Sequence, residues 1–264
     1  MRVVVKIGTS TLAHLSGHLN IRRVEEICKT LADIKNAGHE VIIVSSGAIG
    51  MGTGKLGLKK RPDDIETKQA AAAVGQCELM YTYDKLFGEY NHTVAQILIT
   101  GADVENDVRH TNFTNTVRRL LELDAIPIIN ENDTVATDEI VIGDNDTLAA
   151  IVAASVNADL LVLLSDIDGL YTADPHKNND AELIPHVYAV DDSVFALAGG
   201  SGSSLGTGGM VTKLRAAKIC TDAGCDMVIT NGNAPAKLYD IIDGMSVGTR
   251  FHSDGKDSGR IGHV

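Results

Sequence analysis

Short apolar runs alternate along the chain with longer segments in which apolar residues recur at helical spacing. The apolar runs are rich in β-branched residues, as is typical of buried strands, and they are Val3–Ile7, Glu40–Ser45, Thr93–Thr100, Ala125–Ile129, Leu160–Leu164 and Asp226–Thr230. Helices are predicted at Ile21–Ala37, Glu66–Tyr90, Asn112–Leu123, Asp146–Asn157 and Thr212–Ala223, with part of a hairpin at 140–142. Because the strands are apolar throughout, we expect an α/β fold whose mostly parallel sheet is covered by helices on both faces.

Polar and glycine-rich residues follow several of the predicted strands directly. They are Gly8-Thr9-Ser10, Ser45-Ser46-Gly47, Asn130–Asp133 and Ser165-Asp166. In open parallel sheets, ligands bind at the carboxyl ends of the strands. The sequence therefore predicts a ligand site at that edge of the sheet.

Two neighbouring segments, Asn130–Asp133 and Gly143–Asp146, are unusually dense in carboxylates and amides. A turn needs one Asn or Asp and a glycine, so these segments carry more polar groups than two turns require. Such density suits a site that holds a small polar molecule through many hydrogen bonds. Two ligand-free loops are the alternative, and the spacing does not match an EF-hand calcium loop.

Two lysines are candidates for phosphate binding. A glycine-rich tract, 199–209, runs directly into a predicted helix that contains Lys213, and a glycine loop at a helix N-terminus can bind phosphate. A passive linker is the alternative for that tract. Lys6 lies within the first strand, either as an edge-strand charge or as a phosphate ligand at the strand end. The segment Gly50–Leu56 lacks the hydroxyl residue of a Walker A motif, and the protein-kinase signatures are absent.

Composition excludes several classes of function. The chain has 264 residues and a net charge of −12, so a broad basic face for nucleic acid or for an anionic membrane is not expected. The 4 cysteines show no metal-ligand spacing, which favours reduced, core-filling residues. The chain shows no signal peptide and no apolar stretch long enough to span a membrane. We therefore expect a cytoplasmic protein without a metal site of its own.

The motifs together resemble the amino acid kinase family, and within it the branch that phosphorylates glutamate. The matching motifs are Val4–Ser10, Ser45–Ile49, Lys68–Gln76, Asn130–Asp133, Gly143–Asp146, Ser165-Asp166 with Gly169–Tyr171, and Gly206–Lys213. They follow the family's order over nearly the whole chain. Kinases of the family with other acceptors usually have Gly-Gly or Ser-Gly where this chain has Gly8-Thr9.

The resemblance implies a fold and a reaction. The fold is one amino acid kinase domain over 1–264, a three-layer αβα sandwich in which 1–150 bind the amino acid and 151–264 bind the nucleotide. Many members carry a further C-terminal PUA domain, which we expect this chain to lack. The implied reaction is phosphorylation of the L-glutamate γ-carboxylate by ATP, with Mg²⁺ carried by ATP, as the first step of proline synthesis. Proline as feedback inhibitor and a homo-oligomer, dimer or tetramer, are also implied.

The resemblance also assigns roles to residues. Catalysis would rest on Lys6, Asp146 and Lys213, with the backbone of Gly8 and Gly47 close to phosphate. The glutamate-binding residues would be Ser46, Asp133 and Asn145. The ATP-binding residues would be Lys6, Ser165, Asp166, Thr207, Gly208, Gly209, Met210, Val211, Thr212 and Lys213.

Two other functions compete with this one. Another kinase of the same fold could use a different carboxylate or phosphate acceptor, a choice that depends on Ser46, Asp133 and Asn145. A non-catalytic amino-acid or nucleotide sensor would be expected to lack Lys6, Asp146 or Lys213. All three are present, which favours an enzyme.

Overall fold

An eight-stranded sheet forms the centre of the molecule, with strand order β3-β4-β2-β1-β5-β7-β8-β6. The computed structural model describes residues 1–14, 18–135, 144–175, 177–198 and 208–253. The strands are β1 Arg2–Ile7, β2 Glu40–Ser45, β3 Val94–Ile99, β4 Ile126–Glu131, β5 Leu160–Ser165, β6 His186–Val187, β7 Asp226–Asn231 and β8 Thr249–Phe251. Each neighbouring pair is parallel except β7–β8. The expected α/β fold with a mostly parallel sheet is confirmed.

Helices pack against both faces of this sheet. They are α1 Thr9–Leu12, α2 Ile21–Asn36, α3 Ala48–Lys55, α4 Ile65–Gly88, α5 Gly101–Glu105, α6 Asp107–Glu122, α7 Asn145–Ser155, α8 Asp192–Ala198, α9 Gly208–Asp222 and α10 Lys237–Ile242. None of the helices in the described ranges is long and apolar enough to cross a membrane.

The alternation of side chains along β1 divides the core into two layers. Val3, Val5 and Ile7 pack on one face with α2 and α4. Val4 packs on the other face with α7 and α9. Successive side chains of a strand point to opposite faces, so Lys6 lies on the same face as Val4. This register directs Lys6 toward the two helices that carry Asp146 and Lys213.

Helix α3 was not predicted, because its glycines at 50, 52 and 54 indicate a loop. The structure explains them through the contact between α3 and α4. A Cβ atom at Gly52 would lie 1.8 Å from the carbonyl oxygen of Ala71, and one at Gly75 would lie 1.7 Å from that of Ala48. The two backbones can therefore pack this closely only because both positions lack a side chain.

Other sequence-based expectations fail at identifiable places. β1 is a central strand, so the interpretation of Lys6 as an edge-strand charge is wrong. Cys77 is exposed, whereas Cys28, Cys220 and Cys225 are buried as expected. Short elements such as α8 and β8 were not predicted, since they have too few residues to show a period. The expected hairpin at 140–142 lies outside the described residues.

Candidate active site

Three charged side chains from different elements meet at the carboxyl end of β1. The Lys6 ammonium lies 2.7 Å from one carboxylate oxygen of Asp146, and the Lys213 ammonium lies 2.8 Å from the other. The exposed fractions of the three side chains are 12%, 6% and 10% for Lys6, Asp146 and Lys213. Asp146 therefore holds the buried ammonium group of Lys213 and the largely buried one of Lys6 beside each other, an arrangement that would otherwise be repulsive.

The electrostatics of the group keep Asp146 ionised. Burial alone would raise the pKa of Asp146, but the charges of Lys6 and Lys213 and their hydrogen bonds lower it further than burial raises it. The net pKa of Asp146 thus lies below its ordinary value. Two cationic groups and one anion leave a net positive charge in a site from which water is largely excluded, which suits binding of an anionic group.

The local sequence around Asp146 fixes its position. Asp144 caps α7, since its carboxylate accepts 2.8 Å hydrogen bonds from the backbone N–H groups of Asp146 and Thr147. The cap leaves Asn145 and Asp146 at the start of the helix with their side chains directed into the sheet edge. Lys213, one turn into α9, also donates to the carbonyl oxygen of Gly209 at 3.3 Å.

A chain of amide side chains, two of them buried, adjoins this charged group. The Asn145 side chain donates to the Ser46 hydroxyl at 2.7 Å and to the Asn130 side-chain oxygen at 3.3 Å. Asn130 in turn donates to the Gln76 side-chain oxygen at 2.9 Å. Gln76 is 8% exposed, and its amide nitrogen has no hydrogen-bond partner in the described part of the molecule. The network links α4, β4, α7 and the end of β2.

The amide network and Lys6 border a first cavity of about 260 Å³. Its lining includes the predicted residues Lys6, Ser46, Gly47, Asp133, Asn145 and Asp146, together with Thr9, Ala48, Ile49, Gly50, Arg61, Asn130, Glu131 and Asp144. The structure therefore brings the three predicted glutamate-binding residues to one cavity. Arg61, Asn130, Glu131 and Gln76 were not assigned roles from the sequence. The density of polar residues around Asn130 was the one signal that pointed to this group.

The N-terminus of α3 opens onto the first cavity. Gly47 precedes the helix with a φ of 99°, a left-handed conformation that suits glycine, and no side chain caps the helix. The backbone N–H groups at the start of an uncapped helix lack partners and attract anions. Gly8 lies close by, since a Cβ atom built there would be 3.6 Å from the Lys6 ammonium nitrogen. Both predicted glycines thus allow an anion to approach the backbone.

Two carboxylates of the first cavity have raised pKa values. Burial raises the pKa of Glu131, and the charges of Asp133 and Asp144 raise it further. Burial also raises the pKa of Asp133, while the Arg61 charge lowers it to a smaller extent. Burial therefore disfavours the charged forms of both groups, and a bound cation would stabilise them.

A second cavity of about 330 Å³ lies on the other side of Lys213. Its walls include the apolar side chains of Ile167, Leu170, Tyr171, Leu197 and Met210. The predicted nucleotide-binding residues Asp166, Gly209, Met210 and Lys213 line it. Lys6 lines the first cavity and Lys213 the second, so the group formed with Asp146 lies between the two.

The other predicted nucleotide-binding residues lie nearby without lining this cavity. The Ser165 hydroxyl donates to the Asp166 carboxylate at 3.0 Å, and the Thr212 hydroxyl donates to the carbonyl oxygen of Gly209 at 2.9 Å. Val211 packs against the core, and Gly208 begins α9. Thr207 and Gly143 lie outside the described residues.

Comparisons with known proteins identify relatives of this chain. The model of the amino acid kinase family matches residues 1–231. A glutamate 5-kinase from Clostridium tetani is 54% identical over 251 residues, which are 95% of this chain and 94% of that protein. A glutamate 5-kinase from Caldanaerobacter subterraneus is 50% identical over 251 residues, 95% of this chain and 68% of that protein. A carbamate kinase structure from Giardia lamblia, bound to AMP-PNP, shares the fold with a TM-score of 0.66 and 18% identity, covering 96% of this chain and 98% of that one.

Proposed function

The chain belongs to the amino acid kinase family, and we propose that it transfers the γ-phosphoryl group of ATP to the γ-carboxylate of L-glutamate. The product is γ-glutamyl phosphate, and the reaction is the first step of proline synthesis. The observation that carries this proposal is the position of Lys6, Asp146 and Lys213 between a polar and an apolar cavity. The names of the relatives, glutamate 5-kinases, support the choice of acceptor.

The reaction needs positioning and charge stabilisation rather than a general base. A glutamate γ-carboxylate is already ionised at neutral pH and can attack the γ-phosphorus directly, with ADP as the leaving group. The three equatorial oxygens of the transferred group carry negative charge in the transition state. Lys6 would contact these oxygens from the glutamate side and Lys213 from the nucleotide side. Asp146 holds both ammonium groups in place and is a positioning residue.

Backbone groups add to this stabilisation. The uncapped N-terminus of α3 and the adjacent Gly47 present N–H groups to the first cavity. Gly8, beside the Lys6 ammonium, allows phosphate to approach the backbone of β1. These donors are fixed before substrate arrives, so they need little reorganisation during transfer.

Glutamate would occupy the first cavity. Asp133 suits its α-ammonium group, since a cation there would stabilise a carboxylate whose pKa is raised by burial. Ser46 and Asn145 can donate hydrogen bonds to its carboxylates, and Asn145 is oriented by the amides of Asn130 and Gln76. Residues 1–150 would thus form the amino-acid-binding part.

ATP would occupy the second cavity, within the nucleotide-binding part 151–264. The apolar walls suit an adenine ring, and Lys213 and the backbone at the start of α9 suit phosphates. The predicted nucleotide-binding residues from Ser165 to Lys213 would lie around the bound ATP. Mg²⁺ would arrive with ATP, because Mg²⁺ is usually held through substrate phosphates, water and one or two carboxylates.

Feedback inhibition, assembly and location are further parts of the proposal. Proline would compete for the first cavity, because it shares the α-carboxylate and the ammonium group of glutamate. A homo-oligomer, dimer or tetramer, would form through surfaces outside the two cavities. The cysteines Cys28, Cys77, Cys220 and Cys225 are free thiols, which agrees with the cytoplasmic location that the sequence predicts.

A hydroxylamine trap tests the reaction. Protein incubated with Mg-ATP, L-glutamate and hydroxylamine should form γ-glutamyl hydroxamate, because hydroxylamine captures the labile acyl phosphate. Product should depend on both substrates and should fall when proline is added. Absence of product while ATP still binds would reject glutamate as the acceptor and point to another acceptor or to a sensor.

A further inference from the structure

Arg61 is a cation of the first cavity that the mechanism above does not use. It lies in the segment between α3 and α4 and lines the cavity together with Asp133. Both side chains therefore face a common space, and the Arg61 charge lowers the pKa of Asp133, against the larger opposite influence of burial. Within the described residues, Arg61 makes no hydrogen bond and belongs to no ion pair. Its guanidinium is therefore available to a ligand.

The charges of the first cavity do not match glutamate without Arg61. The ionised substrate carries one ammonium group and two carboxylates. The γ-carboxylate has to lie near Lys6, and the ammonium group fits the carboxylates of Glu131 and Asp133. The α-carboxylate then needs a cation, and Arg61 is the one described Lys or Arg of the cavity besides Lys6. Residues 136–143, which connect Val135 to Asp144 in the sequence and are outside the described part, contain no Lys or Arg.

The chain around Arg61 suits a fixed binding role. Pro62 follows it and is buried although Arg61 itself is exposed, so the segment is anchored immediately beside the arginine. A residue that precedes proline is restricted to extended backbone, which limits the directions available to its side chain. A guanidinium can hold a carboxylate through two parallel hydrogen bonds, whereas an ammonium group acts as a point charge.

We propose that the Arg61 guanidinium binds the α-carboxylate of the amino-acid substrate while Asp133 binds the α-ammonium group. The two side chains then recognise the α-amino and α-carboxylate groups of the substrate. The part of the first cavity next to Lys6 recognises the carboxylate to be phosphorylated. This inference rests on the proposed glutamate kinase function and extends it to a residue that determines specificity.

The test compares Arg61→Met with Lys60→Met, using L-glutamate and its α-carboxamide, L-isoglutamine, as acceptors. Lys60 is the neighbouring cation, is 79% exposed and pairs with Asp63, so its variant loses the same charge outside the cavity. For Arg61→Met we expect the KM for glutamate to rise about tenfold to a hundredfold, the range for losing a hydrogen-bonded charge partner. The KM for isoglutamine and the KM for ATP should change little, and Lys60→Met should resemble the parent protein.

Three outcomes would overturn the inference. Equal loss for glutamate and isoglutamine would show that Arg61 supports the cavity without contacting the α-carboxylate. An unchanged KM for glutamate would place that carboxylate elsewhere, with the N-terminus of α3 as the nearest anion site. Equal effects of Arg61→Met and Lys60→Met would show that Arg61 acts only through the net charge of this region and not through contact with the substrate.

A binding measurement separates this inference from the proposed reaction. Calorimetric titration of glutamate into the parent protein and into Arg61→Met measures affinity without turnover. If glutamate binds in an Arg61-dependent manner and no hydroxamate forms, the proposed reaction fails and the role of Arg61 stands. If hydroxamate forms and glutamate affinity does not depend on Arg61, the reaction stands and the role of Arg61 fails.

Discussion

The two cavities on either side of Asp146 are lined by different kinds of chemical group. The first is bordered by carboxylates, amides and the uncapped N-terminus of α3. The second is bordered mainly by apolar side chains, with charged groups at Lys213, Asp166 and Asp174. Directed hydrogen bonds discriminate between ligands by the position of each polar group, whereas apolar contact discriminates mainly by shape. The first cavity is therefore suited to recognising a charge pattern and the second to holding a flat apolar ring.

The difference predicts how substitutions should separate. A change in one cavity should alter the KM of one substrate, because the two cavities share no lining residue among those described. A change in the group of Lys6, Asp146 and Lys213 should alter turnover itself, since this group borders both cavities. Kinetics with each substrate varied in turn can therefore test whether each cavity binds one of the two substrates.

The largest effect is expected for Lys213→Met. The substitution removes one of two ammonium groups that stabilise the transferred phosphoryl group, so kcat should fall about a hundredfold to a thousandfold, the usual cost of losing one transition-state donor. Binding of glutamate should persist, because Lys213 does not line the first cavity. The readouts are steady-state kinetics and glutamate titration. Lys218→Met, an exposed lysine of α9 that pairs with Asp222, is the matched control, and unchanged kcat in Lys213→Met would refute the mechanism.

The next effect concerns pH and the first cavity. Burial raises the pKa of Asp133, and the α-ammonium group needs the ionised form. The KM for glutamate should therefore rise as pH falls through the pKa of Asp133, which lies above its ordinary value, while the KM for ATP stays constant. Asp133→Asn should raise the KM for glutamate about tenfold at neutral pH and should weaken this pH dependence, leaving the part that Glu131 contributes through its own raised pKa.

Asp133 should affect the free energy of unfolding in the opposite sense to glutamate binding, since its ionised form favours binding but costs stability. Because the folded pKa of Asp133 is raised, its charge costs stability above that pKa, and the cost disappears below the ordinary value of 3.8. Asp133→Asn should therefore be more stable than the parent at neutral pH, by a margin that shrinks as pH falls. Urea unfolding at several pH values measures it, with Asp107→Asn, an exposed residue of α6, as control. A stability difference between Asp133→Asn and the parent that grew as pH fell would contradict the raised pKa of Asp133.

A smaller effect is expected for Gln76→Met, which tests whether buried amides orient the first cavity. Gln76 accepts a hydrogen bond from Asn130, which accepts one from Asn145. Loss of one such bond should lower kcat/KM for glutamate about fivefold to tenfold. The KM for ATP should not change, which a general loss of folding would not produce. Gln96→Met, an exposed amide on β3, is the control, and equal losses for both substrates would make Gln76 merely structural.

The two cavities also differ in how far the sequence predicts them. Ser46 and Asp133 follow strands that periodicity identifies, Asn145 directly precedes a predicted helix, and parallel strands end at one edge of the sheet. Their meeting in the first cavity was therefore predictable. Arg61 and Gln76 were not assigned, because one lies in a connection without periodicity and the other on a long helix whose buried face is defined only by packing.

The long elements were predicted because burial imposes a period that many residues share. The short elements and α3 were not, since α3 depends on close backbone contact with α4, where Gly52 meets Ala71 and Ala48 meets Gly75. The nucleotide side was predicted from the glycine-rich tract, from Ser165-Asp166 at the end of a strand and from the family resemblance. Its apolar wall at Leu170 and Leu197 was missed, because isolated apolar residues in loops and short helices carry no pattern.

The smallest effect is expected for Leu197→Ala, which tests the apolar wall of the second cavity. Leu197 lines that cavity and is 38% exposed, so only part of its surface can contact a nucleotide. Loss of contact equivalent to about half to one buried methylene group should raise the KM for ATP about two- to fivefold, with kcat and the KM for glutamate unchanged. Leu123→Ala, which removes the same atoms at a site that is 61% exposed at the end of α6, should leave all three constants unchanged. If Leu197→Ala instead raised the KM for glutamate, the assignment of the cavities would have to be reversed, because the apolar wall would then serve the acceptor.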